Sequence, residues 1–181
     1  SNSFLNHAAK NLASRMLGWH YRSRGESLIS FSNWAFYQGK LLTVPEERLG
    51  EVAGEEIIVL AAGDGMTNVA KLTARPVSFH HLPHGLYDNR RNRAEAEYIA
   101  HLVKGLLSDG QRHSIGIVAF SEAQQSEIES ALAGPANGDK SFAERLEEEY
   151  EREADGQYVG LLIKNLENIQ GDERDVVILS V

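Results

Sequence analysis

The sequence predicts an α/β protein built on a parallel sheet, and two observations lead to that prediction. Short, continuously apolar runs alternate along the chain with longer segments whose apolar residues recur at helical spacing. Because the runs are not interrupted by polar residues, they are typical of strands covered on both faces. These predicted strands are residues 57–60, 115–120, 158–163 and 176–181, with a fifth candidate at 77–82.

Three helices are predicted between these strands, each beginning after a residue that can cap free backbone amides. The first helix spans residues 93–107, with Asn92 as its cap and Glu95 three positions later. The second follows the cap Ser121, with Gln124 three positions later, and runs through Leu132. The third follows the cap Ser141, with Glu144 three positions later. Gly, Pro and Asn at 134–138 predict a loop between the last two. Right-handed crossovers would place the loops that follow the strands at one sheet edge, where open α/β sheets bind ligands.

Composition narrows the function classes. The 181 residues suit one domain, and a net charge of −8 argues against a uniformly basic nucleic-acid coat while allowing a local basic patch. With no cysteine, a disulfide scaffold, a zinc-thiolate site and a cysteine nucleophile are excluded. The apolar run at 57–62 is too short to span a membrane, so we expect a reducing, cytoplasmic setting.

Charge is distributed unevenly along the chain. Residues 1–45 carry five basic side chains and one acidic one, whereas residues 139–181 carry twelve acidic and five basic ones. The acidic helix over 141–153 could recruit a protein partner, or it could simply be a solvated face. Its candidate contact residues are Glu147, Glu148, Glu149, Glu151 and Glu153.

A cationic and aromatic segment lies near the beginning of the chain. Tyr21 stands beside Arg22, with Arg24 two residues later, and this combination can bind phosphate and stack on a base. Alone, such a pair is more often solvated surface, and the apolar residues at 28–37 would then be ordinary core.

Two further segments could contact a phosphate-rich ligand. The run Gln170-Gly171-Asp172-Glu173 combines a flexible backbone with polar groups, although a plain turn has the same composition. Ser121 and Gln124 lie at a predicted helix N-terminus, whose free amides attract phosphate but also need only a cap. The acids Asp172, Glu173 and Asp175 leave a metal-dependent nuclease as another alternative.

No metal site is expected from the histidines at 80, 81 and 84. Pro83 prevents a helix that would align them, and only alternate residues of a strand share a face. The 181 residues also contain neither a G-x-x-x-x-G-K-[ST] loop nor a G-x-S-x-G elbow. We therefore expect that this chain cannot hold a triphosphate and Mg²⁺ by itself.

Four segments in order resemble the second RecA-like domain of superfamily 1 DNA/RNA helicases of the Upf-like and Dna-like group, in particular large bacterial predicted helicases. They are HYRSRGESLISFSNWAFYQGKL, HGLYDNRRNRAEAEYIAHLV, SIGIVAFSEAQQSEIESAL and KNLENIQGDERDVVILSV. The resemblance runs from about residue 17 to the last residue. It implies one RecA-like domain of the P-loop NTPase type over 1–181, with a mostly parallel sheet and helices on both faces.

The resemblance also implies roles for individual residues. Tyr21 would lie against the adenine, and Arg22 would act as an arginine finger on the γ-phosphate. Gln170, Gly171 and Glu173 would contact the nucleotide. Ser121 and Gln124 would contact a single strand, with DNA favoured.

Some parts of the family pattern are not found in this sequence. The resemblance covers a fourth-motif region at 17–40 and an α/β core at 77–181 that ends in the fifth motif, whereas residues 41–76 match poorly and are assigned no function. The first RecA-like domain, which would bind ATP and Mg²⁺ with this one, is not present, and the sixth motif is not reached. We therefore expect a fragment, truncated at its C-terminal end, that is inactive alone.

Overall fold

The computed structural model describes residues 19–20, 26–43, 55–169 and 171–181. The chain forms two compact units, Ser1–Ala53 and Gly54–Val181, which are described separately. A single domain over 1–181 stays a prediction. Within the described ranges, every helix is too short or too polar to cross a bilayer.

The first unit contains one helix and a pair of very short strands. Strands β1 (Trp19–His20) and β2 (Leu42–Thr43) are parallel, and helix α1 (Glu26–Tyr37) connects them. The Asn33 side chain fixes the return of the chain, because its Nδ2 donates to Leu41 O (3.1 Å) and its Oδ1 accepts from Leu41 N (2.9 Å). Trp34, Phe36 and Tyr37 are exposed, so the ordinary-core interpretation of this segment is wrong for these three residues.

The second unit contains the remaining strands and helices. Its strands are β3 (Glu55–Ile58), β4 (Ser78–His81), β5 (Ile115–Ala119), β6 (Glu153–Ala154), β7 (Gln157–Tyr158), β8 (Leu162–Asn165) and β9 (Val176–Ser180). Its helices are α2 (Asp64–Ala74), α3 (Arg93–Ser108), α4 (Glu122–Gly138) and α5 (Lys140–Glu151).

Parallel pairing dominates this unit and confirms the predicted α/β class. Strand β5 lies between β8 and β9, with Ile117 opposite both Ile163 and Ile178. Strands β3 and β4 form a second parallel pair, while β6 and β7 form a small antiparallel hairpin.

The core lies between the sheet and the helices. Every residue of β5 is buried, and Ile115, Ile117 and Ala119 belong to the cluster that contains apolar residues of all four helices. Gly116 points to the opposite face, where a Cβ would lie 3.1 Å from Arg174 Cγ. The connection from β8 to β9 therefore packs closely on the central strand.

At β9, one face of the sheet is not covered by another element of the described structure. Ile178 is buried, whereas Val177 and Leu179 are 55% and 59% exposed. The continuous apolar run at 176–181 predicted burial on both faces, and that prediction is wrong for this strand. Apolar residues in a row indicate a strand but do not reveal which face has a covering element.

The poorly matched segment 41–76 contributes to the core. Ile57, Val59 and Val69 are buried in the same cluster as the sheet. Gly65 lets α2 approach α3 closely, because a Cβ there would lie 2.7 Å from the backbone nitrogen of Leu102.

Three predictions about the limits of helices and strands are wrong. Residues 134–138 belong to α4 and do not form a loop, since Ala136 packs against the core. Helix α5 is capped by Asp139 rather than by Ser141, because Asp139 Oδ1 accepts from Phe142 N (3.1 Å). The predicted strand 158–163 is interrupted, because Leu161 N donates to Glu149 O (3.2 Å) and Gly160 packs against the same carbonyl.

Candidate functional site

Buried polar side chains gather at the carboxyl ends of β5 and β9. Ser121 follows β5, and its Oγ accepts from Gln124 N (3.0 Å), which confirms the predicted cap of α4. The same hydroxyl donates to Arg90 O (2.6 Å). Ser121 thus connects the end of the central strand to the loop that precedes α3.

Gln124 links three segments through one side chain that is 3% exposed. Its Nε2 donates to Ser180 Oγ (3.1 Å) at the end of β9 and to Asn92 O (3.2 Å). Its Oε1 accepts from Asn92 N (2.6 Å). The polar atoms of Gln124 are therefore engaged within the protein.

The first turn of α3 is joined to the end of β9. Asn92 Oδ1 accepts from Glu95 N (3.1 Å), as the predicted cap requires. Glu95 does not return to the Asn92 amide, because its Oε1 accepts from Val181 N (3.1 Å). Burial raises the pKa of Glu95, while the Ser180 hydroxyl and the Val181 amide lower it in part.

A tight turn, residues 88–91, projects beside this cluster. Asp88 N donates to Arg91 O (2.9 Å) and Arg91 N to Asp88 O (3.0 Å), which makes a two-residue hairpin. Asn89 and Arg90 both have positive φ, at 48° and 65°. Hairpins of this kind favour Asn followed by Gly, so an arginine at the second position is unusual.

An open cleft of about 720 Å³ lies at this turn. It is lined by Leu86, Asp88, Asn89, Arg91, Arg93 and Glu127. Acidic neighbours offset part of its positive charge, since Arg91 lies 3.7 Å from Glu127 and Arg93 lies 2.9 Å from Glu97. Our sequence reasoning did not single out this turn, although the run Asn89-Arg90-Arg91 before a helix cap was a visible signal.

Three of the sequence-predicted nucleotide residues, Tyr21, Arg22 and Gln170, lie outside the described residues. Gly171 is exposed at φ +78°, and a Cβ on it would meet nothing within 4 Å. The turn therefore needs glycine for its backbone conformation rather than for a close contact within the protein. Glu173 is also exposed, and its carbonyl accepts from Arg174 Nη1 (2.6 Å).

Two of the three acids considered for a nuclease, Asp172 and Asp175, are engaged in separate contacts. Asp172 Oδ2 accepts from Lys164 Nζ (2.9 Å). Asp175 Oδ2 accepts from Ser114 N (2.8 Å) and Oγ (2.9 Å) at the amino ends of β5 and β9, and these bonds lower its pKa. Across the described ranges, no group of three or more acidic or histidine side chains is placed to hold a metal ion.

The histidines on β4 point in different directions. Both ring nitrogens of His80 have protein partners, Nδ1 with Tyr98 Oη and Nε2 with Ser78 Oγ (2.9 Å). Burial, and secondarily the charge of Lys71, lower the pKa of His80. His81 lies on the other face, with Nδ1 3.2 Å from Glu56 Oε1.

Helix α5 does not present all its acids to solvent. Glu149 is 1% exposed, and its Oε1 lies 2.7 Å from Arg152 Nη1. The prediction that Glu149 belongs to an acidic docking surface is therefore wrong.

Comparison with known proteins places the chain in a family. Residues 1–181 match the family described as an AAA domain. The chain is 30% identical over 184 residues to the "Uncharacterized ATP-dependent helicase MG140" of Mycoplasma genitalium, covering 99% of this chain and 14% of that protein. It is 29% identical over 168 residues to the homolog from Mycoplasma pneumoniae, covering 92% of this chain and 12% of that protein.

The chain thus spans about one seventh of the length of these relatives. No solved structure shows a significant match. The family match over the whole sequence, the α/β fold with its parallel strands, and the order of the four helicase-like segments agree with one another. The chain belongs to this AAA-domain family and is a superfamily 1 helicase domain.

Proposed function

We propose that the chain is the second RecA-like motor domain of an ATP-dependent helicase that translocates on or unwinds nucleic acid, with DNA the favoured substrate. The observation that carries this proposal is an alignment, at 30% identity, of 99% of this chain with a protein named an ATP-dependent helicase. ATP would bind between this domain and the first RecA-like domain of the same polypeptide. We also propose a cytoplasmic location, in keeping with the lack of cysteine.

In this proposal Tyr21 and Arg22 serve the nucleotide. Tyr21 lies against the adenine. The Arg22 guanidinium stabilises negative charge on the γ-phosphate as the bond to the leaving group lengthens. Both roles come from the helicase resemblance of the segment at 17–40.

Gln170, Gly171 and Glu173 are proposed to contact the nucleotide from the connection between β8 and β9. Two features of this connection fit such a role. Gly171 is exposed with open space around its Cα, and Glu173 is exposed beside it. A phosphate or ribose could therefore approach the Gly171 backbone closely.

ATP is accompanied by Mg²⁺ in such motors, and the ion supplies charge neutralisation on the phosphates. Following the helicase resemblance, we assign the ion's protein ligands to the first RecA-like domain. This chain's part is to present the arginine finger and the nucleotide contacts.

Ser121 and Gln124 are proposed to serve the single-strand site. Both side chains are buried and bonded within the protein. Their contribution is therefore to hold the loop at 90–92 in place at the carboxyl edge of the sheet, where ligands of open α/β sheets bind.

ATPase assays on the full-length protein test this proposal. We expect hydrolysis stimulated by single-stranded nucleic acid, and Arg22→Ala should lower kcat by about 10³-fold while nucleotide affinity changes little. Arg112→Ala removes the same charge at an exposed arginine before β5 and should leave kcat near that of the parent. Equal turnover in Arg22→Ala and the parent would remove Arg22 from the chemistry, and hydrolysis indifferent to nucleic acid would refute the motor assignment.

A further inference from the structure

The turn at 88–91 carries an unpaired guanidinium at its tip. Arg90 is exposed, and its side chain forms no hydrogen bond or ion pair with any residue in the described ranges. Arg91 and Arg93, in contrast, are next to Glu127 and Glu97. Positive charge available to an anionic ligand is therefore concentrated at Arg90.

The backbone at Arg90 is unfavourable for an arginine. At φ 65° Arg90 lies in the left-handed helical region, where a Cβ crowds the backbone and which glycine adopts without that steric cost. Asn89 tolerates its own φ of 48° better than most residues do. A glycine at position 90 would fold more easily, so the guanidinium is present for something other than stability.

The turn at 88–91 is hydrogen-bonded to the buried polar side chains at the carboxyl ends of β5 and β9. Ser121 Oγ donates to Arg90 O (2.6 Å), and Gln124 bonds both the N–H and the carbonyl of Asn92. These bonds tie the turn to the carboxyl ends of β5 and β9. The tip is thus a fixed point on the edge of the sheet where ligands are expected, rather than a loose surface loop.

An aromatic residue and an apolar residue precede Arg90 by three and four positions in the sequence. Tyr87 is 61% exposed and Leu86 is 81% exposed. A cation beside an exposed aromatic ring is the combination with which proteins bind single strands, the cation on phosphate and the ring on a base.

We propose that Tyr87 and Arg90 form a single-strand contact, with the Arg90 guanidinium on a backbone phosphate and the Tyr87 ring on a base. Sequence-tolerant binding follows, because neither a phosphate nor a stacking face distinguishes one base from another. This inference rests on the proposed function, since it names where the motor domain holds its strand.

Binding of labelled oligo(dT) and oligo(U) to the full-length protein at several salt concentrations tests the contact. Arg90→Gln should weaken binding about tenfold at low salt and reduce the slope of log K against log[salt] by about 0.7, the value for one phosphate on a single strand. Tyr87→Ala should weaken binding at least about fivefold and leave the slope unchanged, because stacking releases no counterion.

Two further variants separate contact from folding. Arg112→Gln makes the same change at an exposed arginine before the amino end of β5 and should leave affinity and slope at the parent's values. Arg90→Gly relieves the left-handed strain, so its unfolding midpoint should be no lower than the parent's while its binding is weakened like that of Arg90→Gln.

The outcomes distinguish this contact from the motor assignment. If the parent binds a single strand but both Arg90 variants bind it with the parent's affinity and slope, the contact is overturned and the motor remains. If the Arg90 variants instead raise only the KM for ATP, the turn serves the nucleotide and the inference fails. A parent that neither binds a strand nor hydrolyses ATP would overturn the motor and this contact together.

Discussion

Replacing Gln124 by alanine should destabilise this domain more than its position near the surface loops would indicate. The side chain is 3% exposed, and three hydrogen bonds join it to the loop before α3 and to the end of β9. Alanine keeps the helix but removes all three bonds. The change therefore isolates the link between these segments.

The magnitude follows from what each partner loses. Asn92 O still accepts from Ala96 N, and Ser180 still has Glu95 as a partner, so the N–H of Asn92 is the group left without an acceptor. Leaving this partly buried donor unsatisfied costs about 1–3 kcal/mol. The space left by the amide and its methylene adds about 1 kcal/mol.

We therefore expect a loss of about 2–4 kcal/mol, a large part of the ~5–15 kcal/mol of a typical domain. Native-state hydrogen exchange of β5 amides in the full-length protein reports the opening free energy of this unit alone. Gln125→Ala is the matched control. Its Nε2 bonds Glu129 and the Ile163 carbonyl from a less buried position, so we expect about 0.5–1 kcal/mol. A loss below about 0.5 kcal/mol for Gln124→Ala would refute the argument that Gln124 is a structural link.

Two further predictions concern the ionisable side chains of Glu149 and His80. Arg152→Ala should cost about 3 kcal/mol, because the buried Glu149 loses its cation, and adding Glu149→Gln to it should restore part of that stability in the same exchange measurement. The lowered pKa of His80 means that its contribution to stability is present above the unfolded value of about 6.5 and is lost as pH falls through the folded pKa. His80→Gln should flatten the decline in urea midpoint between about pH 7 and pH 5, and a decline as steep as that of the parent would contradict the role of His80.

The sequence predicted the order of strands and helices well where local signals and packing agree. The caps at Asn92 and Ser121 are confirmed because a polar side chain before an apolar stripe satisfies amides that nothing else reaches. The boundary at 134–138 failed because a local loop signal lost to packing of Ala136 on the core. No local signal could show that Gly160 packs against the Glu149 carbonyl and interrupts a predicted strand, since that contact joins residues eleven positions apart in the sequence.

The candidate site was only partly predictable for a similar reason. Ser121 and Gln124 were selected as ligand contacts from their position after a strand, and that position is correct. Their burial depends on Arg90, Asn92 and Ser180, which come from two other segments. Position along the chain can therefore indicate the edge of the sheet, but it cannot tell a residue that touches a ligand from one that supports a neighbour.

The polar cluster also explains why such residues are buried at all. An apolar side chain at position 124 would pack without a desolvation cost, but it would leave the Asn92 amide unpaired and the turn at 88–91 without its support. A fully bonded amide fixes both the distance and the direction between three segments, which apolar packing alone does not do. Because β9 continues from the segment proposed to contact the nucleotide, any displacement of Ser180 reaches Asn92 through one side chain. Gln124 is thereby a direct bonded link between the end of β9 and the loop that continues from the turn proposed to hold nucleic acid.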